Sequence, residues 1–336
     1  MTSTTPADRV RGVAAWTAVA ATVPYLTLKL LWLTGHPVGI DGTDGTDGTD
    51  ELDKLWTANL LTFGMDAIAV LLALSFVRPW GRRAPAGLVA FPMWVATGLL
   101  GTILLALPLF LLSQLVFGPG TEAGSDDGPG GTMAGWVFPM VYGGFTVQGI
   151  ALITAFPLYA RRRWAGLLRS RIGDLPRSPT LTLQRTLACV AGLLALGVAT
   201  ARLYWMAGGT AGLPREWTDT RNPGVAVMDG VTAVMAVAAT VALVVLVFRI
   251  RPERRLRVPL AVAWTAAGSL FGWGSWQLVA FGTMTEVTEL RRAVPGLLPL
   301  VQAGQVAVGL LMLVVGAIAL VERAAAQRTT DVESAG

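Results

Sequence analysis

Charged and reactive side chains are scarce in this chain. Asp, Glu, Lys and Arg make up only 14% of 336 residues, against roughly 25% in a soluble domain. There is one cysteine and one histidine. Cys189 has no second thiol to meet, which excludes a disulfide framework and a cysteine-built zinc site within one copy. His36 alone excludes paired-histidine haem ligation and a histidine-based metal centre in a monomer, and no Ser/His pair can form at depth. A phosphate-cradling Gly-x-x-x-x-Gly-Lys-Ser/Thr run is missing as well. These absences argue against an enzyme and give no reason to expect a cofactor or a bound metal.

What fills the chain is apolar. It is 53% hydrophobic with a mean hydropathy of +0.58, which describes an integral membrane protein. Its pI near 10.0 does not point to nucleic acid, because the basic residues sit at the ends of hydrophobic runs and form no continuous stripe. The expected partner is the lipid bilayer, with a membrane protein or a second copy as a possible companion.

Runs of about 20 apolar residues cross the hydrocarbon layer as helices, because the segment must satisfy its own backbone N–H and C=O groups. Eight such spans are expected, at 12–34, 56–78, 87–117, 135–160, 186–207, 224–248, 259–282 and 297–321. The fold class is therefore all-α, a polytopic transmembrane helical bundle. Pro108 gives the long third span a reason to tilt or kink. The first span is preceded by Arg9 and Arg11 and contains Ala18-Val19-Ala20, but its apolar run continues to about Leu33, so it reads as an uncleaved anchor.

The connections fix orientation. The N-terminus, 78–86, 161–185, 249–258 and the C-terminus carry 19 Arg and 6 acids, whereas the four opposite connections hold 5 basic residues and 13 acids. Arginine near span ends is retained in the cytoplasm, which places both termini inside. The acidic ladder "GIDGTDGTDGTDELDK", with Asp41, Asp44, Asp47, Asp50, Glu51 and Asp53, then lies outside. Its Asp recurs every third residue, unlike the alternate positions and closing Glu of an EF-hand, so a solvated loop is the first reading and loose calcium attraction the second.

The two halves of the chain resemble each other. "LKLLWLTG" at 28–35 aligns with "ARLYWMAG" at 201–208, an offset of 173 that sets Lys29 on Arg202, Trp32 on Trp205 and Gly35 on Gly208. The same offset maps Arg78-Pro79 onto Arg251-Pro252, and with a small gap Trp94 and Gly98 fall on Trp264 and Gly268. The fourth and eighth spans share little more than Gln148 and Gln305. This pattern predicts two parallel four-helix repeats, 1–160 and 186–322, related by an axis along the membrane normal. A basic cytoplasmic linker, 161–185, joins them, and 323–336 reads as a disordered cytoplasmic tail. In the linker, Trp164, Leu167, Leu168 and Ile172 share one helical face, as in a short helix lying on an anionic leaflet.

Four ionisable residues lie inside spans, where each costs at least about 2.5 kcal/mol at mid-membrane. They are Lys29, Asp66, Arg202 and Asp229. Pairing Lys29 with Asp66 and Arg202 with Asp229 relieves desolvation on both sides. The plain reading is structural ion pairs, or basic side chains that snorkel outward. The sharper one is a polar path in which Asp66 titrates or binds a cation while Lys29 modulates it. Gly268 and Gly272 form a small-x-x-x-small packing face, and Trp273, Trp276 and Gln277 beside it pack in the core or line a cavity.

At "KLLWLTG", "VRPWGRRAP" and "FPMWVATG" the chain resembles a group of uncharacterised multi-pass membrane proteins common in actinobacteria. The resemblance implies a bacterial plasma membrane and brings no substrate, cofactor or functional residue. The expected function is a non-catalytic membrane component or partner-binding subunit; the alternative is a small-solute or ion permease with a path at the repeat interface.

Overall fold

The computed structural model describes residues 5–40, 49–117, 134–176, 178–213, 223–283 and 297–335, and their regular structure is helical. The helices are α1 Pro6–Leu33, α2 Thr49–Val77, α3 Pro79–Arg83, α4 Ala86–Phe117, α5 Val137–Arg163, α6 Ala165–Arg169, α7 Leu181–Met206, α8 Pro223–Val247, α9 Arg257–Thr283 and α10 Leu297–Ala335. Local chemistry starts and sustains them. Thr5 caps α1 by accepting the Asp8 amide, with Pro6 opening the first turn where no amide partner is needed. Along the spans, hydroxyls donate back to their own helix, as in Thr22 to the Ala18 carbonyl at 2.8 Å and Thr232 to that of Met228 at 2.8 Å. A hydroxyl bonded in this way can face lipid without an unmet donor.

Among the described residues seven helices are long and apolar enough to cross a membrane: α1, α2, α4, α5, α7, α8 and α10. They coincide with seven of the eight expected spans. The remaining one, 259–282, coincides with the helix α9, whose apolar run is interrupted by Thr265, Ser269, Ser275 and Gln277 and which is not among the seven. It packs against α4, α8 and α10, and a helix surrounded by protein need not be apolar all round. The bundle's outer faces present large apolar side chains, among them Val13, Leu88, Leu115, Leu193 and Val321. Such continuous apolar exposure suits lipid and not water.

In the first half α1 packs on α2 and α5; in the second, α7 packs on α8 and α10. At one end of each pair the chain turns alike. Trp32 Nε1 donates to the Val38 carbonyl at 2.8 Å, and Trp205 Nε1 donates to that of Ala211 at 3.0 Å. His36 N reaches the Leu31 carbonyl, and Gly209 N that of Tyr204, both at 2.9 Å. Gly35 and Gly39 have φ of +84° and +74°, and Gly208 and Gly212 have +95° and +81°. This left-handed backbone is open to glycine and costly for other residues.

The halves meet where α4 crosses α9. A Cβ on Gly98 would fall inside the backbone of Gly268 and Ser269, and one on Gly268 would fall against the Trp94 carbonyl. Thr102 and Ser269 share a hydrogen bond of 2.6 Å beside this crossing, and Trp94 stacks on Phe271 with ring centroids 5.1 Å apart. The small-x-x-x-small face is thus a helix contact, Gly272 lying against Leu99. Through it Trp94 and Ala106 join the apolar core of the second half.

The opposite end of the bundle is arginine-rich and holds the start of α1 and the end of the apolar part of α10. Arg162 holds Asp8 at 2.5 Å near the start of α1, and Arg323 near the end of the apolar part of α10 donates to the Gly166 carbonyl at 3.2 Å. Arg163 donates to the carbonyls of Gly81 and Ala84 and to the Tyr159 hydroxyl, fastening α5 to the turn between α2 and α4.

Three sequence expectations change here. The linker does not form one amphipathic helix: α6 ends at Arg169, and a 3-10 turn covers Ile172–Asp174. Ile172 is buried, because the backbone around it pairs with the α8–α9 connection. Ile172 N donates to the Arg254 carbonyl at 2.9 Å, Gly173 N to that of Pro252 at 2.8 Å, and Leu256 N to that of Ser170 at 2.9 Å. Residues 323–335, read from the sequence as a disordered tail, continue α10 to Ala335; the stretch Val-Glu-Arg-Ala-Ala-Ala-Gln-Arg is rich in helix formers and free of Gly and Pro. Of the acidic ladder, Asp41, Asp44 and Asp47 lie outside the described residues, and α2 already begins at Thr49.

Candidate functional site

The four intramembrane charges are all buried, with relative exposures of 1% for Lys29, 6% for Asp66, 6% for Arg202 and 4% for Asp229. The structure brings them together as two unlike clusters.

In the second half Arg202 is bound on several sides. Its Nη1 donates to Asp229 Oδ1 at 2.8 Å, and its Nη2 donates to Oε1 of Gln277 at 3.1 Å and of Gln305 at 3.2 Å. The guanidinium also lies 5.5 Å from the Trp205 ring. One side chain therefore ties α7 to α8, α9 and α10. A planar cation with five donors is suited to this, since it can bridge several acceptors in fixed directions. Two glutamines, one on α9 and one on α10, were not legible as its partners. Gln277 was singled out only as a possible core or cavity residue, and Gln305 only as the match of Gln148. A buried amide within reach of a buried arginine is the signal that sequence alone does not display.

In the first half the pairing expected from sequence does not close. Lys29 Nζ sits 4.5 Å from the centroid of the Tyr25 ring, one turn earlier on α1. It feels the charge of Asp66 on α2, but no direct ion pair joins the two among the described residues. Among the described residues Oδ2 of Asp66 is buried without a hydrogen-bond partner. Asn59, Thr62 and Asp66 stand at i, i+3 and i+7 of α2 and so share a face, which Tyr25 meets at Thr62. Aromatic rings of α5 close the surroundings: Phe145 meets Tyr25 edge-on at 5.1 Å, and Tyr142 stacks on Phe138 at 4.4 Å.

The two clusters are built on different cations. A guanidinium reaches several acceptors together, whereas an ammonium is a compact charge that an aromatic face and a single distant carboxylate can balance. The chain matches no known protein family, no curated protein and no solved structure. Among the described residues no three His, Cys, Asp or Glu side chains gather into a group that would hold a metal ion. Chemically, the Arg202 cluster is a clasp. The Lys29–Asp66 cluster holds two buried side chains of opposite charge that no direct ion pair joins among the described residues.

Proposed function

We propose that this chain is a non-catalytic membrane component, an eight-span protein of a bacterial plasma membrane that binds a membrane partner or a second copy of itself. Its two parallel four-span repeats are related by an axis along the membrane normal, and its arginine-rich end faces the cytoplasm. The like turns at Trp32 and Trp205, and the contact between the matched residues Gly98 and Gly268, support this arrangement. Two-fold related surfaces meet through equivalent residues.

The observation that carries the functional reading is the Arg202 clasp, in which a buried cation is spent on holding four helices. Affinity purification of the tagged chain from native membranes tests it. One partner in fixed stoichiometry, or a homo-oligomer, is expected; a solitary monomer recovered intact from those membranes speaks against it.

A second reading, a small-solute or ion permease, draws on the free Oδ2 of Asp66. In proteoliposomes it requires that Asp66→Asn abolish pH- or cation-dependent flux while leaving the fold intact. Unchanged flux removes it.

A further inference from the structure

The second-half clasp consumes its carboxylate; the first-half cluster leaves one oxygen of its carboxylate open. Asp66 is 6% exposed, and its Oδ2 lacks a hydrogen-bond partner. It lies ten residues into α2 counted from Trp56, about 15 Å along the helix axis. A polar face formed by Asn59 and Thr62 runs from it toward the end of the bundle at which α1 ends and α2 begins. We infer that Asp66 is a reversible proton-binding site, loaded from that end along the polar face of α2 and set against the fixed charge of Lys29.

The ligand is a proton and not a metal ion because of what surrounds the oxygen. A hard cation such as calcium wants six to eight oxygen donors, whereas the described cluster offers one carboxylate, the Asn59 amide and the hydroxyls of Tyr25 and Thr62, with the positive charge of Lys29 opposing a second cation. A proton needs a single lone pair, and Oδ2 supplies one without giving up an existing bond. In the step, hydronium at the polar face transfers its proton to Oδ2, an O–H bond forms and water is released. Asp66 becomes neutral, and Lys29 keeps its charge but loses its balancing carboxylate. The new O–H is then a donor in a region that already holds the hydroxyls of Tyr25 and Thr62. Asp229 is not equivalent, since it is already bonded to Arg202.

Among the described residues the charged and titratable groups around Asp66 are few. From α1 come Lys29 and Tyr25, and from α5 Tyr142, which acts on Tyr25. The helix α4 carries no ionisable side chain, and neither does α9 beyond Arg257 at its start. The arginines of α3 and of the last turn of α5 lie at the opposite end. Proton occupancy at Asp66 therefore acts first on Lys29.

The inference deepens the permease reading and rests on it only for its consequence, because proton binding and flux are measured separately. The experiment is infrared difference spectroscopy of the full chain in phosphatidylcholine liposomes, stepped between alkaline and acidic buffer in H2O and in D2O. The wild type is expected to show a carboxylic-acid carbonyl band that appears on acidification, moves on deuteration and is missing from Asp66→Asn. Asp66→Glu is expected to retain a band at a displaced position, which identifies the residue even if the Asn variant folds poorly. Lys29→Met is expected to move the pH at which the band appears. A wild-type band unchanged in both Asp66 variants, or no such band at any pH, overturns the inference. A band at Asp66 with no flux removes only the permease reading.

Discussion

Arg202 and Lys29 occupy matched positions in their halves, yet one is a hub and the other is nearly solitary. For the hub, the relevant cost is of leaving its partner behind. Removing one member of a buried ion pair costs about 3–5 kcal/mol, because the other charge stays dry and unpaired, whereas replacing both by apolar residues is often neutral. Arg202→Met is therefore expected to lower the thermal midpoint of the detergent-solubilised protein sharply, and the double variant Arg202→Met with Asp229→Leu to recover most of the loss. Equal midpoints for the single and double variants would show that the pair is not coupled. Lys29→Met is expected to be milder, since no direct ion pair is broken; intrinsic fluorescence melts of the variants provide the ranking.

Among elements, the crossing of α4 and α9 is the contact that joins the halves, and it depends on missing side chains. At Gly98 a Cβ meets backbone, which cannot move aside, while at Gly101 the nearest atom is the Thr265 methyl at an ordinary 3.6 Å. Gly98→Val is expected to separate the halves, visible as faster proteolysis and lost yield of folded protein, whereas Gly101→Ala leaves both unchanged. Overpacking a well-filled contact costs about 1–3 kcal/mol even where neighbours can shift. If Gly98→Val behaves like the wild type, the crossing is looser than its geometry indicates. The repeated turns follow similar logic. Gly208→Ala forces a side chain into left-handed backbone, at about 1–2 kcal/mol, and a matching fall in thermal midpoint is expected for Gly35→Ala.

For the whole molecule, the segregation of charge carries the topology. Arginine gathers at the end that contains Asp8 and Arg162, the Arg163 fastening and the contact of Arg323 with Gly166. If that end is the one kept in the cytoplasm, as proposed above, reporter fusions after residues 80, 170 and 330 are expected to report a cytoplasmic location, and fusions after 125, 210 and 290 an external one. A fusion after 290 that reports the cytoplasm would mean that α9 does not cross, leaving seven spans. The test is pointed because, among the described residues, α9 is not one of the helices long and apolar enough to cross a membrane.

Hydrophobic run length and the alternation of arginine determined the helical membrane bundle from the sequence, since a backbone in lipid must bond to itself and lipid rejects charge between spans. The pairing of Arg202 with Asp229 was also legible. What the sequence could not reveal is which buried groups touch. Gln277 and Gln305 are far from Arg202 along the chain, and the separation of Lys29 from a closed pair with Asp66 depends on where Tyr25 stands. Likewise Ile172 looked like a membrane-facing residue until the loop after α8 supplied its backbone partners. Solvation is set by local composition, so one strand of text suffices to read it. Hydrogen-bond partners are set by angstrom-scale packing between helices distant in sequence, and only the folded molecule fixes those distances.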